Sequence, residues 1–273
     1  MQESRKREIR KQANAFRERC KISRYGIIDL FKDCERLGYK VIRYPLGDMA
    51  DLGFVTKKDK DTIIFTNTNS RLAREIFTLA HEIGHAELHM DKEVSFVDDA
   101  LTISAKSADV KEQEANYFAS CLLMPDDEVN KFLDIEIVDF NENGLTALDI
   151  ARIMSEFNVS FEMALNRLEN IGKINESEKV SLDTQRIHAR VGNLLRSVGG
   201  NRRLNEASKE TEIPHEYMED AIYNYNHSAI PLETLEKTLE CYNLTIDDVI
   251  DQVTLKENTN DEDLDALIGG EDA

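Results

Sequence analysis

The sequence predicts an α+β fold, a small sheet beside one long helix, followed by modules built only of helices. Three observations predict it. Between residues 72 and 89, Leu72, Ile76, Leu79 and Ile83 recur every three or four positions, the spacing of a buried helical stripe. Upstream, Tyr39–Tyr44 and two short β-prone runs around Lys57–Asp61 read as strands joined by an exposed lysine-rich turn. Beyond Pro125 the apolar spacing is helical throughout.

Size and charge narrow the function. A chain of 273 residues with 41% hydrophobic content can bury a sizeable core spread over two or three domains. The net charge of −19 argues against attraction of the whole molecule to nucleic acid or anionic lipid. Cys20, Cys34, Cys121 and Cys241 form no C-x-x-C pair and have no disulfide-like spacing, and Cys121 beside Leu122-Leu123 reads as a small buried hydrophobe. With no apolar run of about 18 residues and no signal-peptide core, the expected location is the cytoplasm.

Taken in order, residues 1–24 hold nine Lys or Arg against three Glu, yet Ile9, Ala13, Phe16 and Cys20 form an apolar stripe. A helix packed on the core with its charges in water is expected, ahead of a nucleic-acid-binding arm. A second helix is expected from Ser23 or Tyr25, ending at Gly38. The strand Thr62–Thr66 is expected to lie against the long helix and to form an edge open to an extended peptide. Residues 91–110 are polar with a short apolar set, and read equally as a flap over a cleft or as a plain connector.

The long helix carries the chemistry. His81-Glu82-Ile83-Gly84-His85 is an H-E-x-x-H pentad, and at 100° per residue its two imidazoles stand about 40° apart, one turn above the other. Two imidazoles so placed can grip one Zn²⁺, while Glu82, about 100° round, can serve as general base toward a water at the site. Gly84 costs roughly 1 kcal/mol against Ala inside a helix, so close packing is expected there. A second helical run, KEQEANYFASCLLMP at 111–125, supplies the acidic candidates for a third ligand. Glu112 and Glu114 point about 200° apart, so only one can face the metal. Glu112 is the choice, because Asn116 shares its face and can hold a ligand's outer nitrogen. His89 is the rival, but lies one more turn along the same rigid helix.

These residues carry a resemblance. FTLAHEIGHAELH, followed by E-x-E-A-N-x-F-A-x-x-L-L-M-P, closely resembles the ImmA/IrrE family of metallo-endopeptidases, and GFVTKKDKDTIIFTNTN looks like the hairpin leading into that family's active-site helix. The resemblance extends over roughly residues 8–175, with Ile76 standing where many members have Arg. It implies a gluzincin-like peptidase domain over 1–128, Zn²⁺ on His81, His85 and a Glu matching Glu112, and Glu82 as base. It also implies regulatory cleavage of a helix-turn-helix repressor.

The rest reads as accessory modules. Residues 129–175 resemble the helix-turn-helix-like segment that follows the peptidase in that family, with Thr146 and Ser160 as N-caps. Four basic and eight acidic residues there speak against DNA contact. Residues 172–183 are polar enough for a linker. Residues 183–252 resemble a Cro/repressor-type domain, but Ile213–Tyr225, in the recognition-helix position, has no Lys or Arg, and the segment holds seven basic against thirteen acidic residues. A protein-docking role is expected, without direct DNA binding. Residues 253–273 form an acidic tail expected to be disordered. The leading function is a zinc endopeptidase acting on a cytoplasmic repressor or similar regulator. The alternative is a non-enzymatic metal-sensing regulator or adaptor. Tyr117 and His89 are the candidates for steadying an oxyanion.

Overall fold

The computed structural model describes residues 1–47, 52–90, 95–98 (backbone), 109–137 and 144–254. It divides into two compact units, Met1–Glu212 and Ile213–Ala273.

The first unit begins with α1 (Glu3–Arg17), whose Ile9, Ala13 and Phe16 are wholly buried. The basic residues do not form a free arm. Arg17 is buried and donates to the Leu122 carbonyl at 3.0 Å, while Arg5 grips Glu114. α2 (Leu30–Arg36) starts later than the sequence suggests, because Asp29 caps it by accepting from the Lys32 amide at 3.1 Å. The preceding residues form a loop with an isolated bridge between Ile22 and Ile27. Gly26 in that loop lies so close to the Glu156 carbonyl that a Cβ would fall 1.9 Å from its oxygen.

Strands β1 (Tyr39–Tyr44), β2 (Gly53–Lys58), β3 (Asp61–Asn67) and β4 (Ser95–Asp98) form one sheet in the order β1-β3-β2-β4. β3 is therefore interior and not the edge expected from the sequence. It pairs parallel with β1 on one side and antiparallel with β2 on the other, leaving no free ladder for an incoming peptide. β4 accounts for 95–98 of the segment read as flap or connector; the remainder, 91–94 and 99–108, lies outside the described residues.

α3 (Leu72–His89) packs along β3 and β2, and α4 (Val110–Leu123), capped by Asp109, packs along α3. α5 (Asp126–Glu136) follows. α6 (Ala147–Phe157) and α7 (Phe161–Asn170) are joined by a three-residue turn in which Asn158 takes φ 55°. Thr146 caps α6 in a reciprocal capping box with Asp149, and Ser160 caps α7. α8 (Glu176–Ala189) replaces most of the expected linker, because Asn175 and Glu178 form a second capping box. α9 (Val191–Ser197) packs on α6, so residues 183–212 belong to the first compact unit and the division falls at 212/213 instead of 183. One continuous core joins the helices and strands β1 to β3 of this unit, from Ile9 to Leu204.

The second unit has α10 (His215–Asn226), α11 (Leu232–Glu240) and a 3-10 turn, Ile246–Gln252, around a small core of Met218, Ile222, Tyr225, Leu235, Leu239 and Val249. The acidic tail lies outside the described residues from 255 onward. Among the described residues, no helix is long and apolar enough to cross a membrane.

Candidate metal centre

The stripe of α3 that faces the sheet and α4 holds His81, Glu82 and His85, all fully buried. α4 approaches this stripe at Gly84, where a Cβ would stand 3.1 Å from the Cα and carbonyl oxygen of Ala115 and 3.2 Å from the Phe118 Cβ. That close approach delivers Glu112. Its Oε2 lies 3.2 Å from His81 Nε2, its Oε1 lies 3.2 Å from His85 Nε2, and the two Nε2 atoms are 3.0 Å apart. One ligand atom from each residue thus falls within 4.8 Å of the others.

The chemistry of this donor set fits a metal ion. Ligands at Zn–N distances of 2.0–2.1 Å in a tetrahedron are separated by about 3.4 Å along each edge. The observed separations are only slightly tighter. His81 Nδ1 faces Asn116 Oδ1 at 3.1 Å, and an amide oxygen there selects the tautomer with hydrogen on Nδ1, which leaves the Nε2 lone pair for a metal. Two imidazole lone pairs and a carboxylate converging in a buried space repel one another unless a cation or a proton is shared among them. The arrangement offers two nitrogens and a carboxylate, the number of protein ligands that a catalytic zinc takes.

The neighbouring residues sort themselves by direction. Glu82, on the same helix, turns toward the start of β2, where Gly53 makes room: a Cβ at Gly53 would meet Glu82 Oε1 at 3.1 Å and Thr78 Cγ2 at 2.5 Å. Sequence reading missed Gly53, although a glycine opening a strand can signal close approach. Glu114 faces the other way. It accepts a bidentate pair from Arg5, Nε at 2.8 Å and Nη2 at 2.6 Å, and this bond holds its carboxyl below the usual range. His89 does not join the cluster. Its Nε2 meets the Lys111 carbonyl at 3.3 Å, its ring lies 5.5 Å from that of His85, and burial pushes its pKa down. Tyr117 is drawn to α1, its hydroxyl accepting from Arg10 at 3.2 Å. So the structure brings His81, His85 and Glu112 together and sets Glu114, His89 and Tyr117 to other partners.

Residues 34–169 match the model of a peptidase family described as the IrrE N-terminal-like domain. The chain carries a domain of that family. The three converging residues, Glu82 and Asn116 all fall inside the match. The chain is also 34% identical over 85 residues to a Bacillus phage phi105 protein described as an uncharacterized immunity region protein, an alignment covering 31% of this chain. The chain spans about half the length of that curated relative, 52%. The IrrE-like domain supports a peptidase reading, and within it His81, His85 and Glu112 form a group that could hold a metal.

Proposed function

We propose that this chain is a zinc-dependent endopeptidase of gluzincin type that cleaves a helix-turn-helix repressor or similar regulator in the cytoplasm. The observation that carries the reading is the buried convergence of His81, His85 and Glu112. A bound Zn²⁺ would supply Lewis acidity toward the scissile carbonyl and toward the attacking water. The chain's own residues do the rest. Asn116 fixes the tautomer and tilt of His81, and Glu112 completes the ligand set from a second helix. Glu82, beside the cluster on α3, takes the proton of the attacking water and passes it to the leaving amine.

The immunity-region name of the phage relative supports a regulatory protein as substrate. The second unit supports a docking role. From 213 to 254 it holds one Lys and nine Asp or Glu, so its field repels a nucleic-acid duplex and suits a basic protein surface. Like α6 and α7, it resembles a helix-turn-helix module in its helix lengths and short turns. The deciding experiment expresses the chain beside candidate repressors, as wild type and as Glu82→Gln. Repressor loss with the wild type, and persistence with a Glu82→Gln protein that still holds about one zinc, supports the reading. Equal loss with both sinks it, and no loss in either favours a non-enzymatic metal sensor.

A further inference from the structure

α8 turns its larger apolar residues away from the core. Of its 14 residues only Leu182 is buried. Val180 and Ile187 are 61% and 66% exposed. With Thr184 between them they lie within about 60° of one another on the helix, on the side roughly opposite Leu182. All three are β-branched, a poor choice for an exposed helical surface, so helix formation does not ask for them there. Leu148, also exposed, adjoins the stripe at the start of α6, where the Ala147 amide donates to Gln185 Oε1 at 3.1 Å. Three exposed large apolar side chains thus share one side of the first unit.

The charges along α8 are sorted by end. Glu176 and Glu178 stand in the first turn, while Arg186, His188 and Arg190 close the helix. Glu178 serves the capping box, and Arg186 pairs with Asp183 at 2.7 Å. Glu176 and Arg190 are exposed and make no ion pair among the described residues. They lie about four turns apart on one flank of the stripe, about 40° from each other.

A helix so arranged complements itself. Turned end for end against a second copy, about a two-fold axis near Thr184, it sets Val180 on the partner's Ile187 and Glu176 beside the partner's Arg190. Each contact then occurs twice, and the axis brings like flanks together, so both ion pairs fall on the flank that carries those two residues. The helix dipoles also run end to opposite end. A parallel pairing would instead put Glu176 on Glu176 and Arg190 on Arg190. We propose that α8 is the interface of a weak two-fold dimer of this chain. The contact is small beside the ~1,200–2,000 Å² of stable complexes, so the dimer forms only at high local concentration. The surface stands on its own residues and does not depend on the peptidase reading.

Sedimentation equilibrium of the full-length protein, over about 5 to 500 µM, is expected to show reversible monomer–dimer exchange with a Kd on the order of 10–100 µM. Ile187→Glu, at an exposed position, should leave the circular dichroism spectrum unaltered and weaken dimerisation at least about tenfold, because it places a charge in the apolar contact. Glu176→Arg and Arg190→Glu should each weaken self-association roughly several-fold, since each sets like charges together twice. Mixing these two variants should restore dimers, because each then offers the other two contacts of opposite charge. A partner other than a second copy in this register would give no such recovery. A monomer at every concentration, dimers unmoved by Ile187→Glu, or no recovery on mixing overturns the proposal.

Discussion

α3 carries two buried polar clusters about 9 Å apart along its axis, and they are built on opposite logic. Near its first turn, Glu75 meets Arg43 of β1, Nε to Oε1 at 2.7 Å and Nη2 to Oε2 at 3.1 Å. Thr66 and Ser208 add hydroxyl donors to the same carboxylate, and Glu210 and Glu212 take the remaining guanidinium edge at 2.9 Å. Donors and acceptors there are matched within the chain. Two turns on, His81, His85 and Glu112 aim acceptor atoms at one another. The first cluster is closed by the fold; the second leaves its acceptors facing one another, the arrangement that a cation from outside would complete. Burial alone does not mark a functional site. The balance of donors and acceptors does.

The contrast yields expectations that can be broken. The largest is at the centre, where His85→Ala should abolish stoichiometric zinc, measured on purified protein, with little change in denaturation midpoint of the metal-free form. Full zinc content in that variant would refute the ligand set. Arg43→Ala should do the converse. Leaving Glu75 buried without its guanidinium should cost about 3–5 kcal/mol in urea unfolding, while the folded fraction keeps its zinc. If zinc falls and stability does not, the two clusters are coupled in a way the comparison denies. Asn116→Ala should come next, weakening zinc affinity roughly 10–100-fold by freeing the His81 ring. The smallest effect belongs to Glu114→Gln, which loses a partly exposed pair with Arg5 and should leave zinc affinity near wild type. A Glu114→Gln loss exceeding that of Glu112→Gln would mean that the wrong carboxylate has been placed at the metal.

Much of the centre was legible because it rests on helical angles. The i, i+4 spacing sets His81 over His85, and the 200° between Glu112 and Glu114 obliges one of them to face away. Asn116 follows from Glu112 by the same turn. What could not be read was non-local. The interior place of β3 depends on β1 returning parallel beside it, which no local pattern in 62–66 encodes. The Arg43–Glu75 cluster joins residues from β1, α3 and the strap 206–212, far apart in sequence. The error over residues 172–183 was of another kind. Polar composition suggested a linker, although Asn175 and Glu178 spell a helix start three residues apart. The helix survives with little apolar surface of its own, Leu182 being its buried anchor.

Gly84 sets a tolerance. Since a single methyl there would meet Ala115 backbone at 3.1 Å, the bite of the ligand set, measured from one helix to the other, is gauged by a missing carbon. Glu112 rides three residues before Ala115 on that same rigid rod, so any wedge under Ala115 lifts the carboxylate by a similar few tenths of an ångström. Ions differ in the span they accept, and a site held within about 0.5 Å discriminates among them. On the proposed reading, metal choice would thus be written partly in a residue that lies outside the ligand set.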